Sequence, residues 1–369
     1  MSETELRMLA IYMSTLLVAI PSVPRDGRQK LEEKMFRMLN SLRLALAGLG
    51  LTVVMTAASG VTAQVTTVDH LTAPAGIGEY EWALGIARIL EQNSETLRSK
   101  PQPTQGYIYN LRYAIGAKDR TKLIFNSDPI SPWLAANKQA PFEDGLGDLQ
   151  IQALMNATWP IWMLVTADAN IKSPEDFKGR TIALGPKAGT ATVMAEETLK
   201  SLGVLEDVNL QYLSFADIFS GLLDGTIDVG LTLSWYNAAD NKVGVVPGIL
   251  NLEQSGRGFH IVPWTEKGLR KTHDDTGVPY HILTVPDGTL PIQEGDVMLY
   301  ANPDFVAVDA TFPEETAYEY VRQTLAHLEK INAAGGLGVL FTPAFLPYGI
   351  EAKLHPGALR AYREAGLIK

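Results

Sequence analysis

The sequence predicts an α/β protein in which helices pack on sheets. Short apolar runs without a helical period alternate with segments in which apolar residues recur every three or four positions. The chain has 369 residues and 46% of them are hydrophobic, so it can bury a sizeable core. It contains no cysteine, which excludes a disulfide framework, a thiol nucleophile and a Cys-ligated metal site.

The N-terminal region has the pattern of an export signal. Basic residues at Arg37 and Arg43 precede an uncharged apolar run from Leu44 to about Met55, and small residues follow up to Ala63. This pattern predicts a signal peptide over residues 35–63 and a protein of the periplasm. A buried or membrane-spanning helix is the alternative interpretation.

Residues 1–34 are expected to be an upstream extension, because a signal peptide begins at the start of a chain. The natural start would then be Met35 or Met38. Seven of the 31 basic residues and five of the 41 acidic residues precede Gln64, so the remaining chain has a net charge of about −12. This charge argues against nucleic acid or an anionic lipid surface as a partner, since both select a basic face.

The first elements of the mature chain follow from periodicity. Apolar residues with a helical spacing predict a helix over Glu79–Asn93, after a loop at 73–78 that is rich in Gly and Pro. A second helix is predicted over Gly106–Ile115 and a short strand over Lys122–Asn126. The run Pro160–Thr166 is apolar without a period, as in a buried strand.

A short capped helix and a strand come next. Ser173, Pro174 and the two acidic residues after them are typical of a helix start. Gly179 ends this helix, and Thr181–Leu184 is predicted as a strand. A loop then leads into a helix predicted over Thr190–Leu202.

The alternation continues with weaker signals. A helix is predicted over Phe215–Leu223 and a strand over Thr226–Thr232, whereas residues 233–296 are rich in Gly, Pro and turns. Beyond them the pattern predicts one strand and two helices: Val297–Tyr300, Pro313–Asn332 and His355–Lys369.

Four segments resemble receptors of known transport families. The segment Ile171–Gly185, IKSPEDFKGRTIALG, is similar to one found in periplasmic solute-binding proteins of the two-lobed type II kind. The stretches Leu213–Asp217 and Leu222–Asp228, and above all the ending His355–Gly366, resemble the TAXI group. TAXI proteins are extracytoplasmic receptors of one class of TRAP (tripartite ATP-independent periplasmic) transporters. The resemblance covers nearly all of residues 68–369.

The resemblance implies a periplasmic-binding-protein type II fold, in which each lobe is a mixed sheet flanked by helices and the ligand cleft lies between the lobes. Residues 64–163 and 297–369 would form lobe 1, and residues 164–296 would form lobe 2. The implied function is capture of a small organic anion, a carboxylate or an amino acid with or without an aromatic or apolar part. The receptor, expected to be a monomer, would deliver this solute to the membrane permease subunits of a TRAP transporter.

Two other functions remain open at this stage. A receptor of this kind can present its ligand to a sensor kinase instead of a permease. An enzyme on the same fold is the other alternative, but the sequence has no nucleophile elbow, P-loop, HExxH motif or EF-hand loop. Its six histidines have no metal-site spacing. The sequence therefore predicts no catalytic residue, no metal site and no cofactor.

Two loops, one in each lobe, are predicted to contact the ligand. The stretches Thr72–Tyr80 and Gly185–Ala191 match loops that line the cleft in the family, and each leads into a helix. The free N–H groups and partial positive charge of a helix N-terminus favour a carboxylate. Turn geometry for the glycines and helix capping for the threonines are the alternative roles. The candidates from these loops are Ala75, Gly76, Gly78, Tyr80, Ala188, Gly189, Thr190 and Thr192.

The other candidate ligand-binding residues lie at strand ends, on one helix and in one aromatic segment. Ligands in open α/β lobes bind beyond the carboxyl ends of strands. Aromatic residues in such a cleft would favour a ligand with a flat or apolar part, although a Trp at such a position is more often a packing residue. These candidates are Tyr107, Asn126, Asp128, Trp133, Ser234, Trp235 and Tyr236.

Overall fold

The computed structural model describes Lys34 and residues 65–75, 78–187, 189–333 and 337–369. The predicted upstream extension and signal peptide therefore lie outside the described residues, except Lys34, and so do Gly76 and Ala188. The elements below belong to one compact unit, residues 63–369. In the described ranges, no helix combines the length and the apolar character needed to cross a membrane.

Thirteen strands are found in the described part of the chain. They are β1 (Thr66–Leu71), β2 (Leu97–Gln102), β3 (Leu123–Ser127), β4 (Ile151–Asn156), β5 (Pro160–Thr166), β6 (Thr181–Leu184), β7 (Asn209–Tyr212), β8 (Val229–Asn237), β9 (Lys242–Gly244), β10 (His260–Val262), β11 (His281–Val285), β12 (Val297–Ala301) and β13 (Phe305–Asp309).

The α-helices of the same ranges are α1 (Gly78–Asn93), α2 (Tyr107–Gly116), α3 (Ile130–Ala136), α4 (Thr190–Ser201), α5 (Phe215–Asp224), α6 (Pro247–Gln254), α7 (Glu266–Thr276), α8 (Glu314–Ala326), α9 (Leu328–Asn332) and α10 (Pro356–Glu364). Short 3₁₀ turns occur at Pro174–Phe177, Leu205–Asp207 and Glu351–Lys353.

The strands form two mixed sheets. Sheet 1 has the order β2-β1-β3-β13-β4, in which β1 pairs in parallel with β2 and β3, and β13 runs antiparallel to both its neighbours. Sheet 2 has the order β11-β12-β5-β8-β6-β7, with β10 paired to β5 and β9 paired to β8. In sheet 2 as described, the parallel pairs are those that β6 forms with β7 and with β8. Two mixed sheets with helices around them confirm the predicted α/β class.

The two sheets are joined by two short segments that run side by side. The chain leaves sheet 1 through residues 157–159 and returns through residues 302–304, and we call these the crossing segments. The Ala157 N–H donates to the Asp304 carbonyl at 2.8 Å, and the Asp304 N–H donates to the Thr158 carbonyl at 2.8 Å. A few paired residues between two packed bodies are a common form of hinge.

The sheets divide the chain differently from the predicted lobes. Strands β5 and β12 pair within sheet 2. The predicted lobe 1, residues 64–163 and 297–369, includes half of β5 and all of β12. We therefore propose the crossing segments as the boundary between the lobes.

Most predicted helices and strands are confirmed, and three are corrected. The helix expected over His355–Lys369 is α10, which ends at Glu364 with Ala365 as its C-cap. The strand expected at Thr226–Thr232 begins at Val229, because Gly225 (φ 73°) ends α5 and the Thr226 N–H still bonds back to the Gly221 carbonyl at 3.0 Å. It also continues to Asn237 rather than ending at Thr232. The single helix expected over Pro313–Asn332 is two helices, since the backbone of His327 leaves the helical region (φ −126°, ψ 20°).

The ending that carries the TAXI resemblance forms a helix cap. The Nδ1 of buried His355 accepts the Gly357 N–H at 3.2 Å, which places the ring proton on Nε2 for donation to the Phe312 carbonyl at 2.9 Å. Pro356 occupies the first helical position. A Cβ on Gly357 would lie 2.1 Å from the Glu314 carbonyl oxygen, so only glycine permits this approach of α10 to α8. These three residues explain the motif by packing.

Candidate functional site

Three buried carboxyl groups lie near the crossing segments. Glu79 is in the first turn of α1, Asp128 directly follows β3, and Asp304 belongs to the second crossing segment. They are 2%, 0% and 1% exposed, and we call them the carboxylate cluster. Burial raises the pKa of Asp304 well above its usual value, and the charges of Glu79 and Asp128 raise this pKa further. Glu79 and Asp128 are therefore both close enough to Asp304 for their charges to act on it.

Glu79 is held by three hydrogen-bond donors. The Thr158 hydroxyl donates to its Oε1 at 2.5 Å, the Tyr107 hydroxyl to Oε1 at 2.7 Å, and the Asn126 amide to Oε2 at 3.0 Å. These donors come from the first crossing segment, α2 and β3. The two oxygens of a carboxyl group can accept several such bonds.

Tyr107 lies between two acids. Its hydroxyl oxygen is 2.7 Å from Glu79 Oε1 and 2.9 Å from Asp304 Oδ2. A phenol has one proton, so it can satisfy only one carboxylate by donation, and the other contact requires a proton on the acid. The raised pKa of Asp304 makes it the acid that carries this proton.

A second chain of hydrogen bonds orients Asn126. Because its amide nitrogen donates to Glu79, its Oδ1 must accept, and the His70 Nε2–H lies 2.9 Å away. The His70 Nδ1 then accepts from the Tyr320 hydroxyl at 3.1 Å. Burial lowers the pKa of His70 to about 4, which keeps the ring neutral.

Two oxygens of the carboxylate cluster have no hydrogen-bond partner among the described residues. Asp128 Oδ1 accepts the Ser131 N–H at 3.0 Å and so caps α3, but Oδ2 is unpartnered, as is Asp304 Oδ1. The Ser131 hydroxyl and Asn302 Oδ1, also buried, have no partner either. Unsatisfied buried acceptors are unfavourable and need a physical explanation.

No basic side chain of the described ranges forms an ion pair with the carboxylate cluster. The internal residues outside those ranges, 76–77, 188 and 334–336, are uncharged. Among the described residues there is also no group of three His, Cys, Asp or Glu placed to hold a metal ion. The cluster is therefore an acidic site without a counter-ion from residues 65–369.

The N-terminus of α4 brings hydrogen-bond donors close to the cluster. Gly189 is the N-cap, and no side chain caps the helix. Burial raises the pKa of Asp128, and the nearby Thr190 and Ser131 hydroxyls partly oppose this rise, although neither hydroxyl is in hydrogen-bond geometry with Asp128 in the described structure. Thr192 is fully buried, and its hydroxyl has no partner in the described structure.

Gly185 makes this arrangement possible. A Cβ at this position would lie 2.9 Å from the Thr192 hydroxyl oxygen and 3.0 Å from the Phe215 ring. The Phe215 ring in turn lies 5.6 Å from that of Trp162, measured between centroids. The α4 N-terminus thus packs beside an aromatic pair, and the Trp162 ring nitrogen is itself buried without a partner among the described residues.

The structure places four of the predicted site residues together. Tyr107 and Asn126 bond directly to Glu79, Asp128 belongs to the carboxylate cluster, and Thr190 acts on Asp128. Thr192 lies two residues after Thr190 in α4.

The remaining predicted site residues are more scattered. Ala75 is exposed, and Gly78 packs against Leu337, since a Cβ there would be 2.5 Å from the Leu337 side chain. Tyr80 and Trp133 are half-buried. The Trp133 ring nitrogen would lie 3.8 Å from a Cβ added to Gly277. Their ligand contacts stay predictions.

The three predicted residues on β8 have different surroundings. Ser234 is fully buried and its hydroxyl is unpartnered among the described residues. Trp235 packs closely against Gly244, because a Cβ added to Gly244 would lie 3.4 Å from the Trp235 Cβ. The Tyr236 hydroxyl donates to Asn241 Oδ1 at 2.6 Å. Tyr236 is thus engaged within the β8–β9 hairpin.

Sequence reasoning missed Glu79, Asp304, Thr158 and His70. Glu79 lies within the stretch Thr72–Tyr80 that was predicted to contact the ligand, so an acid at that helix start was a usable signal. The other three come together only through the crossing of the sheets and through pairing of distant strands, for which the sequence carries no local pattern.

A cavity of about 200 Å³ is lined by residues that include Lys353 and three chain neighbours of the cluster, but by no member of the cluster and by none of the predicted site residues. Pro129 is next to Asp128, while Pro303 and Phe305 flank Asp304. Tyr280 and His281 line it from the side of sheet 2. A larger cavity of about 600 Å³ is lined by residues such as Lys242, Leu328 and Phe341, and it too contains none of the predicted site residues.

The described structure is similar to several solved solute-binding proteins at low sequence identity. MatC from Rhodopseudomonas palustris with bound malate is 13% identical, with a TM-score of 0.43 and coverage of 82% of this chain and 97% of that one. A TctC solute binding protein from Polaromonas is 15% identical (TM-score 0.44; coverage 82% and 97%). The periplasmic aliphatic sulphonate binding protein SsuA from Escherichia coli is 14% identical (TM-score 0.37; coverage 82% and 83%).

The family comparison covers the same part of the chain. The model of the NMT1-like family matches residues 71–366, which include both sheets apart from the first residues of β1, both crossing segments and the whole carboxylate cluster. With most of its length matched, this chain belongs to the NMT1-like family.

Proposed function

We propose that this protein is an extracytoplasmic solute receptor that closes two lobes around a small organic solute bearing a carboxylate. The observation that carries the proposal is the set of buried, unpartnered polar groups contributed by both sides of the crossing segments. Asp304 and Asp128 come from the side of sheet 1, whereas Thr192 and Ser234 come from the side of sheet 2. A bound solute supplies the missing partners.

The carboxylate of the solute binds at the N-terminus of α4. The N–H groups of residues 190–192 have no partner within the helix, and the helix dipole favours an anion there. The buried Thr192 hydroxyl adds a donor. The half-buried Trp133 contributes apolar surface from sheet 1, as does the Trp162–Phe215 pair from sheet 2.

The membrane partner in this proposal is a permease of the TRAP type. The similarity of the His355–Gly366 ending to TAXI receptors supports it, as do the export pattern at residues 35–63 and the acidic net charge of the chain. The receptor acts in the periplasm as a monomer and returns its solute unchanged. It does not use nucleic acid as a partner.

A thermal-shift screen tests receptor function. Carboxylates, amino acids and aromatic acids are added to the purified protein, and a true ligand at one hundred times its Kd stabilises the native state by about 2.7 kcal/mol. Recovery of the compound unchanged after long incubation agrees with transport, whereas conversion to a product contradicts it. A screen without any stabilising compound would count against the proposed function.

Thr192→Val tests the α4 end of the site. The substitution removes a hydroxyl that has no partner in the described structure, so the free protein should lose little stability, while affinity for the stabilising carboxylate falls about tenfold, as for one lost hydrogen bond. Thr198→Val on the same helix is the control, because its hydroxyl is buried but donates to the Met194 carbonyl at 2.9 Å. Equal affinities for the Thr192 variant and the unmodified protein would argue against this end of the site.

A further inference from the structure

We infer that the protein has a second binding site, for a small anion with an apolar body, in the cavity of about 200 Å³ beside the crossing segments. We call this cavity the side cavity. The charged group of the ligand binds between Lys353 and His281, and its apolar body packs against Pro129 and Phe305. This site is separate from the solute site and does not depend on the proposed receptor function.

The side cavity is lined by basic side chains and not by acidic ones. Of its lining residues in the described structure, Lys353, His281 and His273 have basic nitrogens, and none is an Asp or a Glu. The chain after residue 63 carries a net charge of about −12, so a lining of this sign differs from the composition of the chain. A concave surface lined by one sign of charge concentrates ions of the opposite sign. The side cavity therefore favours an anion.

Lys353 and His281 are close together without an acidic partner. The pKa of His281 is lowered by loss of hydration and, further, by the positive charge of Lys353. Lys353 forms no ion pair with the acids of the described ranges. An anion between the two side chains attracts the ammonium and accepts an N–H from the imidazole, so it relieves this unfavourable arrangement.

The rest of the side cavity suits an apolar body. Pro129, Pro303, Phe305 and Ile350 supply most of the remaining surface. A neighbouring cavity of about 260 Å³ shares Pro129 and Phe305, and Lys353 is the charged residue of its described lining. A closed apolar cavity of about 150 Å³ holds benzene. The side cavity therefore has room for a ring that bears one carboxylate or sulfonate, and the ligand class is an aromatic or aliphatic monoanion.

The two groups that bind the anion come from opposite sides of the crossing segments. Lys353 ends a 3₁₀ turn next to β4 of sheet 1, where the His355 N–H donates to the Ala153 carbonyl at 2.9 Å. His281 is the first residue of β11, at the edge of sheet 2. An anion held by both side chains therefore connects the two sheets.

The imidazole of His281 is positioned before a ligand binds. Its ring lies 5.1 Å from the ring of Trp159, measured between centroids, and the Trp159 ring nitrogen donates to Asn156 Oδ1 at 3.1 Å. Gly349 has a φ of 74° and packs against the other side of this contact, since a Cβ there would lie 3.3 Å from the Trp159 ring. A binding group that is already ordered loses less conformational freedom when the ligand binds.

Benzoate is the probe that tests the inference, and Ile350 reports on the side cavity. In ¹³C-methyl NMR spectra at pH 7, titration with benzoate should shift the methyl signal of Ile350 and leave that of Ile182, in the core of sheet 2, unchanged. Benzenesulfonate should give the same shift. Benzyl alcohol, which lacks the charge, and sulfate at the same ionic strength, which lacks the apolar body, should each bind about tenfold more weakly.

Two variants assign the binding to the side cavity. Lys353→Gln and His281→Gln should each weaken benzoate about fivefold, as expected for one exposed charged contact, and the double variant should weaken it further. Both residues are exposed, so the melting temperature of the free protein should not change. Lys242→Gln is the matched control, because Lys242 is an exposed lysine that lines the separate cavity of about 600 Å³. Its affinity for benzoate should equal that of the unmodified protein.

Thr192→Val distinguishes the side cavity from the solute site. Because Thr192 belongs to the α4 end of the solute site, this variant should retain the Ile350 shift and the affinity for benzoate. If it loses that shift, benzoate acts from the solute site and the inference is wrong. The inference is also overturned by an Ile350 signal that does not move, by either Gln variant binding with full affinity, or by benzyl alcohol or sulfate binding as tightly as benzoate. None of these results bears on the receptor function, which the thermal-shift screen tests separately.

Discussion

His70 shows how one buried side chain can set the pH range of the protein. Its ring accepts from Tyr320 and donates to Asn126, an arrangement that only the neutral form allows. Burial lowers its pKa from 6.5 to about 4. Because the folded pKa is lowered, the unfolded chain binds the proton more readily, and stability falls as the pH falls from about 6.5 towards 4.

We expect the His70→Gln variant to lose this pH dependence. A glutamine amide can donate to Asn126 and accept from Tyr320 without titrating. Between pH 7.5 and pH 5 the unmodified protein should lose about 2 kcal/mol more unfolding free energy than the variant, measured in urea. His273→Gln on the exposed side of α7 is the control and should follow the unmodified protein. If the His70 variant kept the pH dependence of stability and the His273 variant lost it, His70 would not be its source.

Tyr107 is the second residue whose role is testable alone. Tyr107→Phe removes the donor between Glu79 and Asp304, so it should destabilise the folded state by about 1–2 kcal/mol. Tyr109→Phe is the matched change on the same helix, at a residue that is 44% exposed, and should be close to neutral. Unfolding of both variants in urea provides the comparison, and a neutral Tyr107 variant would mean that the phenol does not connect the two acids.

At the scale of elements, the sequence predicted those helices and strands whose signals are local. The helix from Gly78 to Asn93 follows from its apolar spacing, and β5 and β6 were predicted with their observed bounds. Helices α6 and α7, within residues 247–276, were missed because they are short and lie among turn-rich residues. Strands β1, β2, β4 and β13 were missed as well, since their stability comes from pairing with distant strands and not from local propensity.

The contact between α8 and α10 gives a prediction at this scale. Gly357→Ala places a methyl group against the Glu314 carbonyl and the Tyr318 N–H, which are backbone atoms that cannot rotate away. The expected loss of stability is about 1–3 kcal/mol, as for other overpacked positions. Gly116→Ala is the control, because a Cβ there meets nothing within 4 Å. Thermal unfolding distinguishes them, and equal melting temperatures would disprove the close approach.

For the whole molecule, the candidate site could be predicted only in part. Tyr107, Asn126, Asp128 and Thr190 were found because they lie at the ends of recognisable elements or in segments that resemble the TAXI family. Glu79 was assigned to a helix and not to the site, and Asp304 lies in a connection that had no predicted role. The carboxylate cluster exists because two sheets exchange strands at the crossing segments, which is a property of the topology and not of any local sequence.

Closure of the two lobes is the prediction for the molecule as a whole. Open lobes expose the polar groups of the site to water, whereas bound solute replaces that water, so the solute should select the closed state. Small-angle X-ray scattering should show a smaller radius of gyration with a stabilising solute than without it. The Thr198→Val control should contract in the same way, and an unchanged radius for both would argue for a rigid receptor.

In the proposed receptor, two residues of the site, Thr158 and Asp304, belong to the crossing segments about which the lobes would turn. A solute bound so close to the hinge would move little on closure, whereas the parts of the lobes farthest from the hinge would be displaced most. Those outer parts of the lobes are accessible to a membrane protein. Binding of the solute in the buried site would therefore change the shape of the receptor's outer surface. In the proposed function, a permease would then recognise the closed shape of the receptor and not the solute itself.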